Sequence, residues 1–344
     1  MKKQSRDAQA MTIVIKMFWS FFIFFWVADG AAFASDKKEG CSRCHTTHLP
    51  TEERGLIEKE GDYCVRCHGT KSRANTGGSD SMPYVYHTSS IDLAGGNFYN
   101  VALKGNRYGH NVAGFTDIGP DTISPPGLND PSLDFHITRL TCAGKYGCHG
   151  DRAKVSSYEA MKGVHHNYDP ARPSDGKTVA TSYRFLLEVT GQEMNEEGYK
   201  WECNVNPGKH NGYQGADGWN DPKSISYFCG RCHGNDVLGR SKSNFHGAAG
   251  TGGASPWLRH PTDIIIPEGE FSGYTTYNPT VPVARLGLKA VVDPAKVDVS
   301  AGNEVVMCLS CHRAHGSPYS SILRFAYGDS MSPLGSCRTC HTRH

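Results

Sequence analysis

The sequence predicts a loop-rich fold of short helices and a few short strands, wound around bound groups rather than around a side-chain core. Three observations carry this expectation. Apolar residues make up only 38% of the 344 residues, and part of that share sits in the first 34. Glycine and proline, 39 and 18 in number, recur too often for long regular elements. Cysteine and histidine, 13 and 17, far exceed what packing a chain of this length requires. Such a chain would struggle to bury a core matching its size, yet aromatic residues spread along its whole length argue against disorder.

Residues 1–34 read as an export signal. Lys2, Lys3, Arg6 and Lys16 precede the apolar run MFWSFFIFFWVA (17–28), and Ala32-Phe33-Ala34 fits an A-x-A cleavage pattern, which puts cleavage before Ser35. About a dozen apolar residues are short for a membrane span; an uncleaved N-terminal anchor is the alternative, and Met11 is an alternative start. Removing the segment takes those four cations away against Asp7 and Asp29, bringing the formal net charge from +2 to zero. A balanced chain has no basic bias toward nucleic acid.

Five segments read C-x-x-C-H: Cys41-Cys44-His45, Cys64-Cys67-His68, Cys229-Cys232-His233, Cys308-Cys311-His312 and Cys337-Cys340-His341. A zinc ribbon also uses CxxC pairs but is indifferent to the residue that follows. A disulfide framework, which export would favour, is equally indifferent. Covalent c-type haem attachment explains the whole pattern: the two thiols add to the porphyrin vinyl groups and the adjacent histidine ligates the iron. A sixth segment, CAGKYGCH, keeps the Cys148-His149 step but sets Cys142 further upstream, with Gly144 and Gly147 to let the longer loop bulge. The alternative there is a Cys142–Cys148 or Cys142–Cys203 disulfide without haem. Six haem c groups would use every cysteine but Cys203, which reads as a free, half-buried thiol.

Six irons ligated by His45, His68, His149, His233, His312 and His341 need six further ligands, and the remaining histidines outnumber the scattered methionines. Bis-histidine ligation is therefore expected. The distal candidates are His48, His87, His110, His165, His166, His246, His260 and His315; His136 and His210 rank lower. Three sites extend to CxxCHxxH, which places a second histidine on the same side of a helical turn. It cannot reach the far face of its own haem, so His48 and His315 read as bridges to a neighbouring one. The equivalent His344 has three readings: a solvated end, a ligand within the subunit, or a ligand to a haem of the next subunit. The adjacent His165 and His166 point in different directions and could serve two haems.

First-cysteine intervals of 23, 78, 87, 79 and 29 residues give a pair of sites, two spaced sites and a second pair. They divide the chain after the export segment into modules 35–140, 141–245 and 246–344. Each CxxCH is expected to open a short helix. Residues 118–132 and 246–257 are loops, 183–193 could be a short helix, and DIIIPEG, VPVARLGL and NEVVMCL could be short strands.

The five CxxCH sites with CAGKYGCHG, SPWLRHPTD and CLSCHRAHGSPYSSILRF resemble the multihaem c-type cytochromes with doubled CxxCH motifs, over roughly residues 36–344. More weakly, the chain is similar to hexahaem cytochromes that stack into extracellular filaments. The resemblance implies bis-histidine haems that form the core, sparse secondary structure and electron transfer in the periplasm or outside the cell. The expected function is relay of electrons along closely packed haems, with other redox proteins or like subunits as partners and membrane contact only through the signal or by docking to an outer-membrane complex. A multihaem reductase of nitrite, hydroxylamine or sulfite type is the alternative. It would need one iron with an open position.

Overall fold

Short elements follow directly from the density of glycine, proline and turn residues. The computed structural model describes residues 62–69, 82–89, 91–115, 140–167, 174–218, 220–233, 260, 262–288, 293–326 and 337–342. The expected export segment, Cys41, Cys44, His45, His48, His136, His246, His344 and the loops at 118–132 and 246–257 lie outside the described residues. Within the compact unit Glu60–His344, the α-helical segments are α1 (Asp62–His68), α2 (Tyr99–Lys104), α3 (Ser157–Ala160), α4 (Val164–Asn167), α5 (Ile225–His233) and α6 (Cys308–Cys311). None of the described helices is long and apolar enough to cross a membrane.

The caps explain why these helices stop so soon. Gly105 at φ 94° ends α2, its N–H donating to Val101 O at 2.8 Å. Ser156 caps α3 by accepting the Glu159 N–H at 3.4 Å. In α1 and α5 the attachment motif closes the helix rather than opening it, because DYC and ISYFC supply the helical turn that precedes the histidine. Only α6 begins at its first cysteine.

Two small antiparallel sheets complete the framework. β1 (Gly191–Gln192) pairs with β2 (Gly212–Tyr213), in register Gly191 to Tyr213. The second sheet runs β3 (Ile264–Ile265), β5 (Glu304–Val306), β4 (Ala284–Arg285), with Val305 opposite both Ile265 and Ala284. These three strands fall in the three β-branched runs marked from the sequence. Residues 183–193 do not form the expected helix. Arg184 and Phe185 sit at φ 47° and 61°, which breaks the helix after one 3-10 turn and turns the chain toward β1.

Side-chain burial is divided among three modest clusters, each touching attachment segments. Tyr183, Val189, Tyr213, Ala284, Val305 and Met307 pack with Ile225 and Phe228 of α5. Ile266, Tyr274, Tyr277, Val283, Val297 and Val299 pack with Cys340 at their edge. Tyr86, Phe98, Val112 and Phe115 stack against Val65 and Cys142. Between the first two lies a buried ion pair: Arg285 Nε donates to both Glu304 carboxylate oxygens at 3.2 Å, and Arg285 Nη2 donates to Lys296 O at 2.6 Å. The side chains are 7% and 4% exposed.

Removing one partner strands the other charge out of water, so Arg285→Met is expected to cost about 3–5 kcal/mol. Chemical denaturation of the haem-loaded protein measures it. The double variant Arg285→Met, Glu304→Leu should recover most of that loss.

Candidate haem-binding sites

The proximal histidines share one backbone device. His312 N–H donates to Cys308 O at 3.0 Å and His341 N–H to Cys337 O at 2.8 Å, the helical bond that a CxxCH turn creates. The expanded site keeps it. His149 N–H donates to Cys142 O at 2.9 Å and Cys148 N–H to the same carbonyl at 3.2 Å, across the loop 143–147. Gly144 at φ 84° and a Gly147 N–H to Gly144 O bond of 2.9 Å close that loop, in which Ala143 is buried. The loop thus takes up the extra residues, and Cys142 O receives the His149 N–H as in a motif of ordinary length.

Three of the motif histidine rings are then fixed by a carbonyl from elsewhere. Nδ1 of His68 donates to Pro83 O, that of His149 to Arg184 O and that of His312 to Ser321 O, all at 2.9 Å. A donating Nδ1–H leaves the Nε2 lone pair free for a metal. At the last two sites the accepting residue lies in a left-handed pair, Arg184-Phe185 or Ser321-Ile322, with φ between 47° and 61°. The residue after each histidine completes the unit: Gly150 N–H donates to Phe185 O at 2.7 Å and Arg313 N–H to Ile322 O at 2.8 Å. This second shell was missed from the sequence. Its visible trace is the likeness of SYRFL (182–186) to YSSIL (319–323).

Across from these rings stand others. Ring centroids are 6.2 Å apart for His68 and His165, 6.3 Å for His149 and His315, 6.0 Å for His233 and His110, and 6.2 Å for His341 and His260. Two imidazoles ligating one ion from opposite sides, with metal–nitrogen bonds of about 2 Å, have centroids roughly 6 Å apart. The four pairs therefore fit an iron held between two histidines. Burial pushes His68, His149 and His312 below the ordinary imidazole value, and burial with the neighbouring His149 and His110 takes His315 down to about 3. Neutral rings are what ligation requires.

Of the other candidates, His87 is fully buried and clamped by Asn97, whose Oδ1 accepts the His87 N–H at 3.2 Å and whose Nδ2 donates to His87 O at 2.8 Å. Its Nε2 lies 3.9 Å from Asp92 Oδ1. The backbone of His166 lies in α4, with its side chain outside the described residues. His210 has both ring nitrogens engaged, with Asn211 O at 2.6 Å and Pro294 O at 2.8 Å, and stacks on Tyr277 at 3.4 Å. It is a packing residue, in keeping with its low rank.

The CHRAH segment joins several sites. His312 is proximal at the fifth attachment segment, His315 faces His149 of the third, and Ala314 O accepts the Nδ1–H of His110, opposite His233 of the fourth, at 2.7 Å. The ring that His315 faces, His149, belongs to the third attachment segment rather than to the neighbouring sixth. Main-chain bonds lock the segment: His315 N–H to Gly95 O at 2.7 Å and Asn97 N–H to Gly316 O at 2.9 Å.

The cysteines give the order of the sites. Cys142 hydrogen-bonds Cys64, Cys148 faces Cys232, Cys229 hydrogen-bonds Cys308, and Cys311 faces Cys337 and Cys340. The second to sixth attachment sites thus follow one another in space as they do in sequence. No disulfide joins any of the described cysteines, Cys142 and Cys203 included.

Residues 33–73 match the family of the doubled CXXCH motif, and further CxxCH segments of the same form recur along the chain. Two solved structures from Geobacter sulfurreducens align with 83% of this chain over 83% of their own. One, described as an outer membrane cytochrome S filament, is 17% identical with a TM-score of 0.41. The other, described as OmcS nanowires, is 18% identical with a TM-score of 0.45. No match was found among curated proteins.

A Cβ on Gly147 would lie 2.6 Å from Ala143 N and 2.7 Å from Thr141 O, both main-chain atoms that cannot step aside. Gly147→Ala is therefore expected to spoil the 143–147 loop, and a haem bound at Cys142 and Cys148 would be lost with it. Intact mass of the purified protein, compared with wild type, would then fall by one haem.

Proposed function

We propose that the protein is an exported hexahaem cytochrome that relays electrons along bis-histidine haems at consecutive sites, in the periplasm or outside the cell. The observation that carries this reading is the set of four opposed histidine pairs with nearly equal separations. Proximal His68, His149, His233 and His341 are assigned the distal partners His165, His315, His110 and His260.

Haem iron supplies reversible one-electron exchange. The chain's own contribution is to hold and orient. Nδ1–H donors on His68, His149 and His312 keep the rings in one tautomer and rotation, so little rearrangement accompanies a change of charge. Cysteines of successive attachment segments lie against one another, and would hold the groups bound to them as neighbours. Arg324, 5% exposed, donates from Nε to His312 O at 3.1 Å and places a buried cation beside the fifth site, which favours an added electron there. Ligation from both sides at the four paired sites would leave no position there for substrate, which favours electron carriage over reductase chemistry. The partners assigned are other redox proteins or further copies of the chain; electron microscopy of the secreted fraction separates a soluble carrier from a filament.

Intact mass with a pyridine haemochrome spectrum should give six haems per chain. His165→Ala, His110→Ala and His260→Ala should each convert one low-spin haem to high-spin, visible by electron paramagnetic resonance, whereas His210→Ala should leave all of them low-spin. Binding of carbon monoxide or nitrite to the untreated wild-type protein would instead point to an open iron and an enzyme.

A further inference from the structure

Between the fourth and fifth attachment segments a carboxyl group is sealed from water. Asp263, 1% exposed, immediately precedes β3 at φ 49°. Its backbone is pinned from both sides: its N–H donates to Val306 O at 2.8 Å and its carbonyl accepts from Gly218 N–H at 2.7 Å. The side chain therefore cannot swing out to solvent. Oδ2 accepts from Ser224 Oγ at 3.3 Å, and Ser226 supplies a second hydroxyl. Oδ1 is buried and has no hydrogen-bond partner.

The titratable groups facing it are Asp221, from the turn before α5, Cys229 of α5 and Cys308 of α6. None is a cation. Burial, with Asp221 adding to it, pushes the carboxyl up to about 7 against the pull of the two serines. Once Cys229 and Cys308 are thioethers they carry no charge, and the carboxyl then lies against the bonded edges of two porphyrins. A lone anion there is costly. A second negative charge arriving nearby makes it costlier, because Coulomb energies are large where water is excluded.

We propose that Asp263 is the proton acceptor coupled to electron occupancy of the fourth and fifth sites, a role that rests on the haem-relay reading above. Were one electron from a redox partner to reduce either iron from ferric to ferrous, the Asp263 carboxylate would take one proton from solvent, forming an O–H bond at Oδ1; when the electron passed on, that bond would break and the proton would return to solvent. Charge near the pair of sites is thereby kept level through each passage.

The sign follows. Above the titration the carboxylate favours the ferric state, so potentials are lower; below it the neutral acid leaves them higher. Spectroelectrochemical titration of the haem-loaded wild-type protein should show part of the haem population falling in midpoint potential as pH rises through about 7. Asp263→Asn should abolish that slope and hold those potentials at their acid-side value, and Asp263→Glu should retain it. Infrared difference spectra of wild-type protein carrying carbon-13 aspartate should show a carboxylic-acid C=O band appearing on reduction. A pH-independent wild type, an unchanged slope in Asp263→Asn, or no aspartic-acid band would overturn the proposal. Should Asp263→Asn not mature, the infrared measurement alone decides. Failure of the relay reading would look different: the haem complement or its low-spin signature would be missing altogether.

Discussion

The orientation of three motif imidazoles depends on a backbone carbonyl brought from another part of the chain. At His68, His149 and His312 the donor–acceptor distance is the same 2.9 Å although the acceptors lie in three separate stretches. Supplying those carbonyls dictates much of the local architecture. A carbonyl aimed sideways at a ring cannot belong to a helix or an unbroken strand, whose carbonyls are already committed. The chain answers with left-handed pairs at Arg184-Phe185 and Ser321-Ile322, each such residue costing roughly 1–2 kcal/mol. Ile322 is β-branched, for which this region is least comfortable. Strain of that kind persists only where the surroundings over-determine it.

A second consequence is that the small side-chain clusters act as spacers. Stacked Tyr86, Phe98 and Phe115 stand beside the second and third attachment sites, and the stack continues from Phe98 onto His315 at 4.7 Å. Gly95 is needed at that point, since a Cβ would lie 2.9 Å from His315 Nδ1. Buried charges are handled within the same regions: Glu202 accepts from Asn211 N–H and Tyr213 OH, at 3.0 and 3.2 Å, in the layer beneath the Tyr183–Tyr213 contact. Burial raises the Glu202 carboxyl, and the Arg324 cation opposes this.

Much of this was open to reading in the residues, and the limits have physical causes. Composition foretold the short elements, and runs of β-branched residues located β3, β4 and β5, because alternation and branching act locally. The covalent motif named the proximal histidines for the same reason. Distal partners were legible only as a pool. His68 and His165, or His149 and His315, are joined by closing long stretches of chain, and nothing local records which closure wins. The helix expected over 183–193 failed because the Arg184 carbonyl is required by His149, a demand made from outside the segment. His210 could be set aside early, and the reason is now visible in its two satisfied nitrogens.

The CHRAH segment lies late in the chain, yet it completes the surroundings of His149 and His233. A polypeptide cut short before residue 311 would therefore be damaged in its middle as well as at its end: His149 would lose the ring that stands across from it, and His110, opposite His233, the carbonyl that steadies it.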